Sequence, residues 1–181
     1  TGQGQTVAVI DTGTDSDHPD LQGAVVQMFD VCADTACAGF NAAGDRVTIT
    51  RQDGDTDTEG HGTLVTGVIA ARRQDDFSSV LDDNTPNGIQ GAAYEASIID
   101  IRADSPGSCA RTGEDEGCVY NDDTLVRAIE YAVAQGASII NMSLGGEIDN
   151  DPRLENAVRA AAAAGVLVVI SAGNEAEPAG T

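Results

Sequence analysis

The chain contains no lysine. Its nine basic residues are all arginine, and against 30 acidic residues they leave a formal charge of −21. A surface of that sign repels phosphate backbones and anionic membranes over the screening length, so nucleic acid is not an expected partner. The missing lysine points to no function by itself. No apolar run approaches the roughly 20 residues that span a bilayer, and no membrane contact is expected of this segment. The opening residues, TGQGQTVAVIDTG, have neither a basic flank nor a signal-peptide cleavage pattern, so any export signal is expected to have been removed or never included. There is also no solenoid-type repeat and no linker, which leaves one decorated domain over residues 1–181.

What is present is enough for a globular core, with 41% hydrophobic residues in a chain of 181. Four β-branched apolar runs read as buried strands: TVAVIDT at 6–12, ASIIDIRA from Ala96, ASIINMSL from Ala137 and GVLVVISA from Gly165. Helical patterns separate them. One runs from Asn121 to Gln135, opening on Asp122 and Asp123, with Leu125, Val126, Ile129, Ala132 and Val133 on one stripe before Gly136. Another follows Asp151, with Pro152 in its first turn and Leu154, Ala157, Val158 and Ala161 facing inward, and ends at Gly165. An amphipathic helix is expected from His61 to about Ala71. Alternating strands and helices predict an α/β fold, a mostly parallel sheet with helices on both faces and right-handed crossovers.

The four cysteines form two close pairs, Cys32 with Cys37 and Cys109 with Cys118, in loop-like segments spanning 32–60 and 103–120. Zinc prefers tighter CxxC spacing and histidine companions. Two local disulfides are therefore expected, which implies an oxidising location: extracellular, periplasmic or at the cell surface.

Four short motifs carry chemistry. Asp11-Thr12-Gly13 ends the first strand, at the carboxyl edge where α/β sheets bind ligands. Alone it is ambiguous, because aspartic proteases and actin-like phosphotransferases use related turns. The first would need a second Asp-Thr/Ser-Gly and an all-β fold, the second further phosphate loops, and neither is found. His61-Gly62-Thr63 opens a helix, where small neighbours allow close approach to a base. Ser143-Leu144-Gly145 and Ala172-Gly173-Asn174 end parallel strands and open onto the edge of Asp11, with the Asn174 amide available as a donor between two backbones.

In this order, VAVIDTG with HPDL downstream, GHGT, NMSLGG and SAGNE resemble the subtilisin-like serine proteases, the subtilase family, over nearly the whole chain. The Cys109 and Cys118 spacing is similar to that of bacterial autotransporter subtilases. The resemblance implies peptide-bond hydrolysis without a catalytic cofactor. It makes His61 the general base and Asp11 the residue that fixes its tautomer, with Asn174 as oxyanion donor. It further implies that a polypeptide substrate lies along Ser143, Leu144 and Gly145, with Ala172 and Gly173 opposite and Glu175 near the pocket floor favouring basic side chains. Asp20 of HPDL matches a ligand position for a structural calcium, completed by a loop at Asn84–Ile89, while His18 is structural.

The family's nucleophile sits in a Gly-Thr-Ser turn opening a helix, and none of the nine serines here has that context. Two readings follow. Either the chain is the N-terminal portion of a catalytic domain, inactive alone and inclined to self-associate or pair with the missing C-terminal half, or it is a pseudo-protease that binds peptides.

Overall fold

The structure is a computed structural model. It describes residues 1–32, 48–52, 54, 56–57, 59–72, 89–109, 117–145 and 152–173. Six strands form one sheet: β1 (Thr6–Asp11), β2 (Val25–Cys32), β3 (Thr48–Arg51), β4 (Ser97–Arg102), β5 (Ile139–Met142) and β6 (Leu167–Ile170), in the order β3-β2-β4-β1-β5-β6. Every pairing is parallel except that of β3 with β2. The sequence predicts four of these strands. β2 is an addition, and β3 lies inside the segment 32–60 expected to be an inserted loop.

Helices α1 (His61–Ala70), α2 (Asp122–Ala134) and α3 (Pro152–Ala163) fall where their patterns predict. Asn121 caps α2 by accepting the Asp123 N–H through its side chain, satisfying an amide that the helix cannot. The two-residue period of β1 divides the core. Ala8 and Ile10 join Ile99, Ile101 and Ile140 under Leu125, Ala128 and Ile129 of α2 and Ala157 and Ala161 of α3. Val7 and Val9 face the other way, with Ile98, against Leu21 and Ala70. Each fully buried isoleucine contributes about 1.5–3 kcal/mol through removal of its side chain from water.

α1 departs from the expected amphipathic pattern. Its buried positions are Gly62, Thr66, Gly67 and Ala70, whereas Leu64 and Val68 are 69% and 67% exposed. Small residues let this helix close onto the sheet, Val65 and Ile69 pack half-buried against the Val7–Val9 side of the core, and Leu64 and Val68 turn outward. Among the described residues β6 pairs with β5 alone and leaves Leu167, Val169 and Ile170 exposed.

Candidate active site

Because β4, β1, β5 and β6 are parallel, their carboxyl ends share one edge of the sheet. β1 delivers Asp11 to that edge with its side chain fully buried. The Thr12 N–H donates to Asp11 Oδ1 at 2.8 Å, while Oδ2 is buried without a hydrogen-bond partner among the described residues. Burial therefore pushes the Asp11 carboxyl above its ordinary range, and His61 and the Thr12 amide pull against it.

His61 is the first residue of α1, and its Nδ1 lies 2.7 Å from Asp11 Oδ1. An ionised carboxylate can only accept, so the pairing puts the imidazole proton on Nδ1 and leaves the Nε2 lone pair on the far side of the ring. The imidazole is 45% exposed. Burial pulls its pKa down, but the hydrogen bond and charge of Asp11, with the charges of Glu59 and Asp57, outweigh that and raise it above the ordinary histidine value.

This contact needs glycine at 62. A Cβ there would lie 2.1 Å from the Gly13 carbonyl oxygen and 3.2 Å from Asp11 Cβ, and neither backbone can yield without separating acid from base. Gly62→Ala is expected to lower stability by about 1–3 kcal/mol in urea unfolding, with overpacking as the cause. It is also expected to lengthen the Asp11–His61 contact, read as loss of the raised His61 pKa.

A second carboxylate lies beneath the acid turn. Asp100, fully buried on β4, accepts hydrogen bonds from Thr14 Oγ1 at 3.0 Å and Thr56 Oγ1 at 3.2 Å, and Thr14 Oγ1 also meets Thr66 Oγ1 of α1 at 3.0 Å. Burial pushes its pKa up to about 7 despite those bonds, with Asp57 and Asp11 adding to the rise. Sequence reasoning did not single out Asp100 or Asp57. The available signal was an acid interrupting the apolar run IIDI in the first case and an acid four residues before His61 in the second.

On the other side of β1, residues 143–145 follow β5 and residues 171–173 follow β6. The Ser171 N–H continues the ladder to the Met142 carbonyl at 3.1 Å, and Ser171 Oγ donates to the Leu144 carbonyl. Gly145 and Gly173 face each other closely enough that a Cβ on the first would stand 3.8 Å from Cα of the second. Ser143 and Leu144 are half-buried, and Gly145, Ala172 and Gly173 are exposed. Asn174 and Glu175, expected beside them, lie outside the described residues.

Beyond β4, Arg102 pairs with Asp104 through Nε at 2.7 Å and Nη2 at 3.1 Å, and Asp104 bridges Tyr120 in antiparallel fashion. Cys109 and Cys118 are joined in a disulfide, as expected. Cys32 is also disulfide-bonded, and its expected partner Cys37 lies outside the described residues. Away from the edge, the Asp20 carboxylate accepts the Ile89 N–H at 3.1 Å and His18 Nδ1 accepts the Asp20 N–H at 3.2 Å. The end of the loop expected to complete a calcium site thus reaches Asp20. Residues 84–88 are outside the described set, however, and no group of three His, Cys, Asp or Glu side chains that could hold a metal occurs among the described residues.

The Subtilase family profile matches residues 2–181. The major intracellular serine protease of Bacillus subtilis (strain 168) is 37% identical over 176 residues, covering 97% of this chain and 44% of that protein. Thermitase of Thermoactinomyces vulgaris is 35% identical over 174 residues, covering 96% and 48%. An extracellular protease of Xanthomonas campestris is 32% identical over 191 residues, covering 97% and 30%. Among solved structures, S41 psychrophilic protease superposes with a TM-score of 0.68 at 30% identity over 98% of this chain and 48% of its own. Sphericase gives a TM-score of 0.68 at 29% identity over the same shares. The chain therefore spans less than half the length of these relatives. Its family membership rests on sequence along nearly its whole length and on a matching fold, and the chain belongs to the subtilase family.

Proposed function

We propose that residues 1–181 are the acid- and base-bearing N-terminal portion of the catalytic domain of a subtilisin-like serine endopeptidase. The observation that carries this reading is the 2.7 Å contact between buried Asp11 and half-exposed His61 at the carboxyl edge of the sheet. A base needs its acceptor nitrogen free and its ring fixed, and this pairing supplies both. His61 Nε2 takes the proton from a serine hydroxyl supplied from outside this chain, and later delivers it to the leaving amine. Asp11 holds the tautomer and stabilises the imidazolium. The Asn174 amide donates to the oxyanion of the tetrahedral intermediate.

The substrate main chain adds as a strand along Ser143, Leu144 and Gly145, with Ala172 and Gly173 as the opposite wall. Such backbone pairing binds polypeptide with little sequence choice, and Glu175 supplies a preference for basic side chains. No cofactor takes part in the reaction. The exposed Leu64 and Val68 of α1 and the exposed Leu167, Val169 and Ile170 of β6 are where a serine-bearing segment, or a second copy, is expected to pack. The disulfides favour an extracellular, periplasmic or cell-surface location, and the stapled loop ahead of α2 agrees with an autotransporter subtilase.

The test is complementation. Alone, the chain is expected to remain unlabelled by a fluorophosphonate probe. Joined to a segment that carries a Gly-Thr-Ser turn, it is expected to become labelled on that serine and to hydrolyse peptides. Labelling of a serine within 1–181 overturns the division of roles.

A further inference from the structure

Asp57 lies in the approach to α1, and its hydrogen bonds to described residues organise the backbone around both Asp11 and His61. Its Oδ1 accepts from Thr12 Oγ1 at 2.8 Å, from the Gly60 N–H at 2.8 Å and from the Glu59 N–H at 3.2 Å. Its Oδ2 accepts from the Thr63 N–H at 2.8 Å and Thr63 Oγ1 at 2.6 Å. Two of these partners reach across to the acid turn. Thr12 directly follows Asp11, and the same Thr12 hydroxyl accepts the Gly62 N–H at 3.0 Å. Thr63 Oγ1 accepts the Asp15 N–H at 2.9 Å. His61 is therefore held on both sides, at Gly60 by Asp57 itself and at Gly62 by the threonine that Asp57 orients.

α1 requires this arrangement. Its N-cap position is Gly60, at φ 102°, where glycine is favoured but no side chain is available to satisfy the first amides of the helix. Asp57 accepts the N–H of the cap residue Gly60 and that of Thr63 in the first turn, the Glu59 carboxylate accepts the His61 N–H at 3.0 Å, and the Thr12 hydroxyl that Asp57 orients accepts the Gly62 N–H. The negative charge of Asp57 is also well placed at the positive end of the helix dipole.

We infer that Asp57 is the positioning residue of the Asp11–His61 pair: it ties the acid turn and the base helix together so that the imidazole meets Asp11 in one orientation. The inference rests on the reading of that pair as catalytic. Burial acts to raise the Asp57 carboxyl, but the hydrogen bonds from Thr63, Gly60 and Thr12 hold it below the ordinary range, so it is an anion at neutral pH and adds to the field that favours protonated His61.

The test uses the 181-residue chain, whose only other histidine is His18, so the His61 imidazole signals are readily assigned. In the native protein, nitrogen-15 NMR is expected to show a protected His61 Nδ1 proton and a titration midpoint above that of a free histidine. In Asp57→Asn, which keeps the shape but donates where Thr63 also donates, the Nδ1 proton is expected to be lost to solvent exchange and the midpoint to fall toward that of a free histidine. Thr12→Val severs the link to Gly62 but leaves the Asp57 charge, so it is expected to broaden the Nδ1 resonance with a smaller change in midpoint. Asp57→Ala should behave as Asp57→Asn does, and if it fails to fold the other two variants carry the test. A folded Asp57→Asn protein with the native Nδ1 resonance and midpoint overturns the inference while leaving the catalytic pair intact. A native protein with neither signal overturns the catalytic pair itself, and the role of Asp57 with it.

Discussion

Replacing His61 with alanine, in the protein joined to a serine-bearing segment, is expected to lower turnover by about 10⁴-fold or more, with substrate binding little affected. The ring contributes to the transition state rather than to the resting complex: it carries the serine proton only while the tetrahedral intermediate forms and collapses. Asp11→Asn is expected to cost nearly as much for a different reason. An asparagine amide facing Nδ1 can reverse the hydrogen bond and move the ring proton to Nε2, where the acceptor is needed. In the intact enzyme, activity requires neutral His61, so turnover should rise with pH through a midpoint displaced upward from that of an ordinary histidine, as the Asp11, Glu59 and Asp57 charges dictate. Steady-state kinetics over a pH series checks all three. Turnover within tenfold of native in His61→Ala would remove this residue from the mechanism.

Much of this arrangement is legible in the sequence because the strands concerned are unusual in composition. β1 and β4 are buried on both faces and β5 fully on one, all three read as largely apolar runs, and the glycine-containing turns that follow β1 and β5 mark the edge where the side chains emerge. α2 and α3 carry apolar stripes of ordinary helical period. β2 escapes notice because Gln27 and Asp30 interrupt its apolar residues, and its pairing with β4 shifts register between Val25 and Gln27. β3 is four residues long with threonine at two of them, within a polar segment, and only its pairing with β2 makes it a strand.

The site divides in the same way. Asp11 stands out because its strand ends in a glycine turn at Gly13 and His61 because Gly60 and Gly62 flank it, whereas Asp57 and Asp100 do not stand out. Asp57 sits in a polar approach crowded with acids, and nothing in that composition separates the one that ties Thr12 to Gly60 and Thr63 from the others. The small-residue face of α1 is a further case: an amphipathic helix is expected there, but close approach to the Gly13 carbonyl turns the glycine side of the helix inward and leaves Leu64 and Val68 exposed. Steric fit, which sequence pattern does not express, overrides hydrophobicity there.

Asp100→Asn is expected to make the chain more stable than native by about 4 kcal/mol at pH 8 and to leave its stability nearly unchanged at pH 4. Burial opposes the charge of the Asp100 carboxyl in the fold and pushes its pKa up to about 7 against 3.8 for an ordinary aspartate, so the group stays protonated below neutral pH. A group raised on folding contributes stability that is fully present below its unfolded pKa and is lost as pH rises through the folded one. Native stability should therefore decline from about pH 4 to beyond pH 7, at about 1.4 kcal/mol per pH unit where the difference in bound protons is complete. An asparagine reproduces the protonated acid, with a carbonyl to accept from Thr14 and an amide to donate toward Thr56, and it never ionises. Thermal unfolding should separate native and variant by about 10 °C at pH 8, given the usual 2–4 °C per kcal/mol for a chain of this size, and bring them together in acid. Parallel pH profiles for the two proteins would mean that Asp100 is ionised throughout. The Thr14–Asp100–Thr56 contacts under the acid turn would then hold an anion, and the charge of Asp100 would bear on Asp11 at every working pH.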